Sequence, residues 1–336
     1  MNKNTYNKSD QLIKQQIINK LTNKYIHNIA IVTHLSPDGD AIGSCVALAL
    51  ALESLNKKVD VIVPKQSNNF NLLTKHINLV KHSYKTYDLT ILLDCSSLDR
   101  TIIQLEELSK YLIVIDHHVD NNPLGNLYWC ENVAATTMII YQLLIDMNVY
   151  ISSTIATALY AGIIGDTAYF TNNNITAQTY HVAAELISKG ADLSIINQIF
   201  LIKQFDIAKL TYSIINNAIL NSKYQIIYAA VLKEDLDKYH LSYNVVDHIM
   251  KELKNIKEAK IAFLFIESTN DTKVKVRSRQ YDFMNKIMQH FNGGGHKYAA
   301  GASIDSIDIY NVIDTVIAHT INYINEHADE INTIKK

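Results

Sequence analysis

The sequence predicts an α/β protein whose first domain contains a mostly parallel five-stranded sheet with flanking helices. Apolar runs of strand length alternate there with longer runs of helical spacing, which is the pattern of a sheet buried on both faces. Charged or histidine-containing segments directly follow three of these strands. A smaller α/β domain with a mixed sheet is expected after a helical connector. The predicted parts of the chain are residues 1–195, 196–221 and 222–336.

The elements of the first domain follow from the spacing of its apolar residues. Apolar side chains at helical spacing predict a first helix over 11–21. The remaining elements are expected in this order: strand 29–33, helix 41–55, strand 59–63, strand 89–93, helix 98–109, strand 112–115, and helices 134–147, 154–164 and 178–189. A further helical stretch, 192–221, is the predicted connector.

The second domain is marked by alternating strand patterns and by a cluster of glycines. Its elements are expected at 225–232, 260–266 and 273–278 for strands and at 282–291 for a helix. The helix runs directly into Gly293-Gly294-Gly295-His296. Four of the ten glycines lie between positions 293 and 301. In so glycine-poor a chain, this clustering requires a local reason.

Composition and charge exclude several classes of function. The 336 residues are 48% hydrophobic and 19% charged, with a formal net charge of -2, so the dense basic surface that wraps long nucleic acid is missing. Cys45, Cys95 and Cys130 form no CxxC pair, which argues against a disulfide framework and for a cytoplasmic protein. The polar N-terminus predicts no signal peptide, and no apolar run approaches the ~20 residues of a membrane helix.

Carboxylates and imidazoles cluster at the ends of the predicted elements. They occur in four segments, namely His34-Leu35-Ser36-Pro37-Asp38-Gly39-Asp40, Asp94, Asp116-His117-His118 and Gly165-Asp166-Thr167. The strand ends of an open parallel sheet face one crevice, where ligands bind. Like charges gathered there repel one another unless a cation lies among them. The pattern therefore predicts a metal-dependent hydrolase.

Two of these segments also have a plainer interpretation. Asp38 or Asp40 alone could cap the following helix, and Asp94 could be a strand-end aspartate that caps the next one. Those roles leave His34 unexplained, and three adjacent ionisable groups at 116–118 have no packing reason.

Six candidate ligands suit two ions better than one, with a carboxylate as the bridge. Oxygen-rich ligands with some imidazole favour Mn2+, with Mg2+ or Co2+ as alternatives.

The same segments, in the same order, resemble the four motifs of the DHH phosphoesterase superfamily. Arg277-Ser278 and the run from Gly293 to Gly301 resemble its DHH-associated domain. The resemblance extends over about residues 25–305 and is strongest to the two-domain oligoribonuclease and phosphoadenosine-phosphate phosphatase branch. It implies that the three parts of the chain are a DHH domain, a connector and a DHH-associated substrate-binding domain.

The resemblance implies a role for each matching residue. The implied ligands are His34, Asp38 and Asp94 for one ion, and Asp40, Asp94, His117 and Asp166 for the other, with Asp94 shared. His118 would face the scissile phosphate as a proton donor or electrostatic stabiliser, and Asp116 would orient an imidazole. Which of His117 and His118 contacts metal is left open by the sequence.

A second set of residues is expected to bind substrate. The set is Arg100, Arg277, Ser278, Gly293, Gly294, Gly295 and His296. Glycines let a backbone approach a ligand closely and offer amide donors, although a single glycine would suffice to end the preceding helix. Arg100 has the alternative role of a solvated charge on a helix.

The chain departs from the family pattern after the fourth motif. Where family members have a glycine and then a phenylalanine–arginine pair, this chain has Ala168 and Phe170-Thr171. Metal binding through Asp166 should survive this change, and a phosphate contact from that arginine should not.

The function that the resemblance implies is that of a manganese-dependent phosphoesterase and exonuclease. It would cut RNAs of a few nucleotides (nanoRNA) to mononucleotides and convert adenosine 3',5'-bisphosphate to AMP. A cyclic or linear dinucleotide phosphodiesterase is the alternative enzyme, and a non-catalytic nucleotide sensor is the alternative from another class. The expected partners are a short RNA or nucleotide and, in a homodimer, a second copy of the chain. Neither long nucleic acid nor a membrane is expected to bind.

Overall fold

The structure, a computed structural model, describes residues 8–64, 66, 68–95, 97, 100–101, 105–118, 124–241 and 243–327. The chain divides into two compact units, Met1–Ile202 and Lys203–Lys336. Each unit has its own sheet and its own apolar core, and the predicted α/β class is confirmed. Among the described residues, no helix combines the length and the apolar character needed to span a bilayer.

The first unit is built on a six-stranded sheet. Its elements are α1 (Lys8–Leu21), β1 (Asn28–Val32), α2 (Gly39–Ser54), β2 (Lys58–Ile62), α3 (Asn71–Thr74), β3 (Leu79–Val80), β4 (Leu89–Leu93), α4 (Leu105–Leu108), β5 (Leu112–Asp116), β6 (Leu127–Cys130), α5 (Thr136–Asp146), α6 (Ser153–Thr167), α7 (Ala177–Ser188) and α8 (Leu193–Phe200). The strand order is β3-β2-β1-β4-β5-β6, and every neighbouring pair is parallel. The sheet has six strands rather than the predicted five. Its two edge strands, β3 and β6, are short and mostly half-buried, so neither produces a clear apolar pattern.

The strand order reverses between β1 and β4. The chain adds β2 and β3 on one side of β1 and then returns to add β4, β5 and β6 on the other. Ile31 of β1 accordingly pairs with Val61 on one side and with Ile91 on the other. In open parallel sheets, the crevice at the carboxyl ends of two such strands is the usual ligand site. The loops after β1 and β4 carry His34 and Asp94.

Two helices on this sheet pack closely enough to bring distant segments together. A Cβ on Gly43 of α2 would lie only 2.3 Å from the carbonyl oxygen of Ala158 in α6. One helical turn or more away, a Cβ on Gly165 would lie 3.5 Å from the Cα of Gly39. The two helices therefore run antiparallel. As a result, the first turn of α2 adjoins the last turn of α6, and both turns carry aspartates.

The second unit contains a mixed six-stranded sheet. Its elements are α9 (Phe205–Asn216), β7 (Ile219–Asn221), β8 (Ile226–Val231), α10 (Lys233–Lys238), α11 (Val246–Lys254), β9 (Ile261–Glu267), β10 (Thr272–Ser278), α12 (Met284–Gln289), β11 (Gly294–His296), β12 (Ala299–Ile304) and α13 (Ile309–Glu326). The strand order is β11-β12-β10-β9-β8-β7. β8 and β9 are parallel, and the other neighbouring pairs are antiparallel. The predicted mixed sheet is confirmed.

Two predicted elements differ from the structure. Of the predicted helix 98–109, only α4 is α-helical among the described residues, and positions 98, 99 and 102–104 lie outside them. The stretch 192–221, predicted to be helical, contains α8, α9 and the strand β7. The glycine run contributes the edge strand β11, which the sequence does not predict because glycine is depleted in strands.

Candidate metal centre

The loop after β1 places one imidazole and one carboxylate at the carboxyl end of the sheet. His34 is buried, and its Nε2 lies 3.8 Å from Oδ2 of Asp94. Asp38 is the N-cap of α2, since its Oδ1 accepts hydrogen bonds from the amides of Asp40 (3.0 Å) and Ala41 (3.2 Å). Capping therefore accounts for Asp38 rather than Asp40. The cap uses Oδ1 of Asp38 and leaves Oδ2 for a metal ion.

Asp94 lies at the centre of the group. It is 2% exposed and has a left-handed backbone with φ of 54°, which aspartate tolerates better than most residues. Its amide donates to the carbonyl oxygen of Ile115 on β5 (3.1 Å). Its Oδ1 accepts a hydrogen bond from the hydroxyl of Thr136 (3.0 Å) and lies 3.6 Å from Nε2 of His117. These contacts hold the carboxylate between the loop after β1 and the loop after β5.

Asp40 lies in the first turn of α2 and is fully buried. Its oxygens accept hydrogen bonds from two amides at the start of α5, Oδ2 from Thr136 (2.5 Å) and Oδ1 from Thr137 (2.9 Å). The first amides of a helix have no partner within it and carry partial positive charge, so they suit a carboxylate. A Cβ on Gly162 of α6 would lie 2.6 Å from Oδ1. The space for this carboxylate therefore depends on a glycine in α6.

The two histidines after β5 face in different directions. Nδ1 of His117 lies 3.1 Å from the carbonyl oxygen of Val133, which can only accept, so the proton is assigned to Nδ1. Its Nε2 is buried, lacks a hydrogen-bond partner among the described residues and lies 3.1 Å from Oδ2 of Asp166. The His118 side chain is 42% exposed, and its Nδ1 donates to Oδ1 of Asp116 (2.8 Å). This geometry favours His117 as the metal ligand.

Asp116 organises the loop after β5 through Oδ1, while its Oδ2 is buried and has no hydrogen-bond partner among the described residues. It is fully buried at the end of that strand. Besides the His118 ring, its Oδ1 accepts the amides of His117 (2.7 Å) and His118 (3.1 Å). Asp94, Asp116, His117 and His118 are also close enough together to hold an ion. Because three donors already occupy Oδ1 of Asp116, this arrangement favours orientation of the His118 ring.

Two groups of three residues have the spacing of metal ligands. Within each group, one ligand atom per residue lies within 4.8 Å of the others. The groups are His34, Asp38 and Asp94, and Asp40, His117 and Asp166. The 3.6 Å separation between Oδ1 of Asp94 and Nε2 of His117 connects them. All six predicted ligands are thus brought together, with Asp94 between the two groups.

The electrostatics of these groups indicate that cations belong there. Burial and the charge of Asp166 raise the pKa of Asp40 to about 7. Burial and the charge of Asp40 raise the pKa of Asp94 well above its usual value. Although burial opposes it, the carboxylates of Asp166 and Asp40 raise the pKa of His117 to about 9. Without a cation, protons must neutralise these side chains, and divalent ions at the same positions would replace the protons. The residues therefore fit a metal centre.

Arg100 lies beside the loop after β1. Its carbonyl oxygen accepts the amide of Leu35 (2.8 Å), and its side chain is exposed. Burial, and less strongly the charge of Arg100, lower the pKa of His34 against the opposing effect of Asp38. Arg100 therefore lies close to the centre but not on an α-helix, and its role as a substrate contact stays a prediction.

The chain after Asp166 has an unusual backbone. Ala168, Tyr169 and Phe170 have φ of 46°, 58° and 58°, in the left-handed region that is unfavourable for residues with a Cβ. Ala168 is the C-cap of α6, and residues of this conformation at helix ends are usually glycine. Asp166 nevertheless remains within its ligand group. The departure from the family motif at position 168 is therefore accommodated as backbone strain.

The predicted substrate-binding residues of the second unit divide between the two faces of its sheet. Arg277 of β10 pairs with Ala299 of β12, which in turn pairs with His296 of β11. Residues directly opposite one another project on the same face, so Arg277 and His296 share a face. Ser278 projects on the other face, where its hydroxyl accepts the amide of Tyr281 (2.7 Å). The Ser278 hydroxyl therefore stabilises a turn and lies apart from the other predicted contacts.

Arg277 is a partly buried cation without a carboxylate partner among the described residues. Its guanidinium donates to the carbonyl oxygen of Val276 (2.9 Å), and burial lowers the pKa of Arg277. Lys275, two residues earlier on the same face, instead pairs with Asp247 at 2.6 Å. A partly buried guanidinium that has no carboxylate within ion-pair distance among the described residues is well suited to a phosphate group.

Packing explains two of the three glycines in the run. A Cβ on Gly293 would lie 2.3 Å from a backbone oxygen of β12, and one on Gly295, which has φ of 135°, would lie 2.6 Å from another. A Cβ on Gly294 would have none of the described atoms within 4 Å. The left-handed residue after α12 is Asn292, with φ of 55°, so the helix does not need Gly293 to end. Gly294 is thus the position at which the backbone is open to a ligand.

One contributor to the metal centre is missing from the sequence prediction. The segment 133–137, which joins β6 to α5, contacts three of the predicted ligands through Val133, Thr136 and Thr137. None of its residues is ionisable, and most of its contacts are made by backbone groups, so residue type carries no signal. The strand before the segment, β6, has no clear apolar pattern either, so its position gave no signal.

Two family models match the chain. The N-terminal domain of the DHH family matches residues 28–163, and the DHHA1 domain matches residues 223–326. Together they cover most of the chain, in the order in which the motifs occur.

Named relatives match over nearly their full length. The chain is 28% identical, over 309 residues, to the bifunctional oligoribonuclease and PAP phosphatase NrnA of Bacillus subtilis (strain 168), covering 89% of this chain and 95% of that one. It is 26% identical, over 290 residues, to the protein of the same name from Thermus thermophilus, covering 86% and 88%. An uncharacterised protein of Mycoplasma genitalium, MG371, is 29% identical over 294 residues, covering 84% and 88%.

A solved structure supports the fold. An exopolyphosphatase-related protein from Bacteroides fragilis superposes with a TM-score of 0.86 over 97% of this chain and 98% of its own. The two sequences are 23% identical, so this likeness concerns the architecture.

Proposed function

Because the chain belongs to the DHH phosphoesterase family, we propose that it is a manganese-dependent enzyme that hydrolyses short oligoribonucleotides to mononucleotides and adenosine 3',5'-bisphosphate to AMP. The observation that carries this proposal is the convergence of two ligand groups on Asp94, in the crevice where the strand order reverses. The substrates follow the names of the Bacillus and Thermus relatives, both called bifunctional oligoribonuclease and PAP phosphatase.

The six ligands would hold two divalent ions. His34, Asp38 and Asp94 would surround one, while Asp40, His117 and Asp166, with Asp94 shared, would surround the other. Mixed carboxylate and imidazole ligands suit Mn2+. When bound, a pair of such ions stabilises both the attacking and the leaving oxygen of a phosphoryl displacement.

His118 is the side chain proposed to act on the substrate. Oδ1 of Asp116 accepts a hydrogen bond from Nδ1–H of His118, so Nε2 is directed away from that carboxylate. With 42% of the side chain exposed, the ring is accessible to a phosphate bound at the ions. In the proposed role it donates a proton to the leaving oxygen or offsets the negative charge that develops there. A well-placed general acid of this kind typically contributes 10²–10⁴-fold.

The second unit is proposed to bind the nucleotide. The guanidinium of Arg277, which is not in an ion pair among the described residues, supports a phosphate contact, and the open backbone at Gly294 supports close approach of the ligand. His296 projects on the same face and is exposed. A site made of a few local contacts is consistent with short substrates. The formal charge of -2 provides little general attraction for long RNA.

The proposal is tested by product analysis with purified protein and Mn2+. A labelled RNA trimer, adenosine 3',5'-bisphosphate, linear and cyclic adenine dinucleotides, and pyrophosphate are offered separately, each with and without a chelator. We expect mononucleotides from the trimer and AMP from the bisphosphate, with both reactions lost when the chelator removes the metal.

Two other outcomes would change the assignment. A marked preference for the dinucleotides would make the protein a dinucleotide phosphodiesterase with the same metal centre. Folded protein that binds nucleotides but turns over none of these substrates would be a nucleotide sensor, and the proposed catalysis would be wrong.

A further inference from the structure

The segment 133–137, between β6 and the first turn of α5, lies against the metal centre and contacts its ligands. The carbonyl oxygen of Val133 accepts the ring N–H of His117 (3.1 Å). The carbonyl oxygen of Ala134 accepts the side-chain amide of Asn174 (3.1 Å), which also reaches the carbonyl oxygen of Asp166 at 3.5 Å. Carbonyl groups of this segment therefore contact one ligand directly and a second through an asparagine.

Thr136 is the member of the segment that contacts both ligand groups. Its amide donates to Oδ2 of Asp40 at 2.5 Å, and its hydroxyl donates to Oδ1 of Asp94 at 3.0 Å. The residue is fully buried, so water does not compete for either bond. One residue thus fixes a carboxylate from each of the two groups, and one of these carboxylates is the shared Asp94.

We propose that Thr136 is a positioning residue that holds Asp40 and Asp94 in one arrangement and thereby couples the two ion sites. This inference rests on the proposed function in so far as the two ligand groups bind ions. Partners of metal-ligating carboxylates fix the orientation of the ligands, and their loss typically weakens metal binding about 10- to 100-fold. Because Asp94 is shared, the loss of its donor affects both ions.

A purely structural role would use the hydroxyl differently. Serine and threonine near helix starts usually bond to the backbone of their own helix. The N-cap of α5 is Ala135, which forms no side-chain cap, and the Thr136 hydroxyl is directed to a carboxylate 42 positions earlier in the chain. That direction serves the centre rather than the helix.

The neighbouring residue provides a matched control. Thr137 is also fully buried and also gives its amide to Asp40. Its hydroxyl, however, has no hydrogen-bond partner among the described residues. Thr136→Val and Thr137→Val make the same change of hydroxyl to methyl in consecutive residues, and each leaves the backbone amide in place.

The experiment measures Mn2+ binding rather than turnover. Calorimetric titration gives the number and affinity of the ions, and low-temperature electron paramagnetic resonance detects the magnetic coupling of two Mn2+ ions that share a carboxylate. For Thr136→Val we expect about 10- to 100-fold weaker Mn2+ binding and loss of the coupled signal. Thr136→Ser, which restores the hydroxyl, and Thr137→Val should both bind two coupled ions.

Other results would overturn the inference. They are two coupled ions at wild-type affinity in Thr136→Val, or an equal loss in Thr137→Val, which would assign the effect to packing. If Thr136→Val does not fold, Thr136→Ala, which removes the hydroxyl without adding a methyl group, is measured in its place with the same expectation.

The proposed function fails separately. Wild-type protein that binds two coupled ions but cleaves no nucleotide would refute the function and leave the role of Thr136 standing. Wild-type protein that binds no ion pair would refute both.

Discussion

The carboxyl end of the first sheet and the edge of the second are organised in opposite ways. At the first, motif side chains from separate strands and helices contact one another, and Asp94 lies between the two ligand groups. At the second, the motif residues mainly contact backbone, since Gly293 and Gly295 are pressed against β12. Gly294 there has none of the described atoms near its would-be Cβ, and Arg277 has no carboxylate within ion-pair distance among the described residues.

The difference teaches what a motif residue is for in each place. In the first region a substitution removes a charge from a mutually dependent cluster, so function is expected to change more than stability. In the second region most substitutions alter packing, so stability is expected to change first. Four pairs of variants test this division.

The largest effect is expected from Asp94→Asn. Loss of the carboxylate that lies between the two ligand groups should lower kcat/KM about 1,000-fold, since several kcal/mol of charge stabilisation are lost. Asparagine tolerates the left-handed backbone at this position, and it removes one of several crowded buried carboxylates. The metal-free protein should therefore keep or raise its thermal midpoint. Turnover assays and thermal unfolding check both parts.

The matched control lies at the other end of β4. Asp88 precedes that strand, and its carboxylate accepts the amides of His27 (2.8 Å) and Asn28 (2.9 Å). Asp88→Asn should lower stability and keep turnover. Full activity in Asp94→Asn would contradict the assignment of the metal centre.

A smaller effect is expected from Arg277→Gln. If the guanidinium contacts a substrate phosphate, its loss removes a charge-assisted hydrogen bond of about 1.5–3 kcal/mol. KM should then rise about 10-fold or more, with kcat little changed. Steady-state kinetics on the bisphosphate give both constants. Lys275→Gln removes the same charge from the same face, where Asp247 already compensates it, and should leave KM near the wild-type value. Equal effects of the two variants would indicate general electrostatics instead of a specific contact.

Two alanine substitutions distinguish the packing role of Gly293 from the ligand-binding role of Gly294. Gly293→Ala places a Cβ 2.3 Å from a backbone oxygen, and such overpacking should lower the free energy of unfolding by about 1–3 kcal/mol. Gly294→Ala meets open space and should leave stability nearly unchanged while raising KM. Chemical denaturation and kinetics on both proteins make the comparison. A stable Gly293→Ala variant would show that packing does not explain that glycine.

The smallest effect is expected from Ala168→Gly. In the second unit the strained backbone at position 295 is occupied by glycine, whereas in the first unit residues 168–170 are left-handed without any glycine. Glycine at position 168 should raise the free energy of unfolding by about 1 kcal/mol, because the left-handed conformation costs roughly that much for residues with a Cβ. Ala161→Gly, in the interior of the same helix, should lower it by about 1 kcal/mol or more. Chemical denaturation of the two proteins should therefore give changes in the free energy of unfolding that are opposite in sign.

The sequence was sufficient to predict the parallel sheet and the convergence of its acidic segments. Buried parallel strands are nearly continuous apolar runs, and their carboxyl ends share one side of the sheet. The resemblance supplied the division of the ligands into two groups, and the direction of Nε2 of His117 supports its assignment to the second.

Other features left no trace in residue type. Thr136 resembles any threonine at a helix start, and the role of Val133 is that of its carbonyl oxygen. The two-residue strand β3 is too short to show a period. Ser278 was grouped with Arg277 because the pair resembles a motif of the DHH-associated domain, but adjacent residues of a strand project on opposite faces.

The backbone contacts of segment 133–137 have a consequence for how this protein can evolve. A bond from a carbonyl oxygen or an amide survives replacement of the side chain, so positions 133 and 137 can change residue type while His117 and Asp40 keep those partners. Only the hydroxyl at position 136 is encoded by residue identity. Related sequences can thus drift along this segment yet preserve the centre, provided that serine or threonine is retained at a single position.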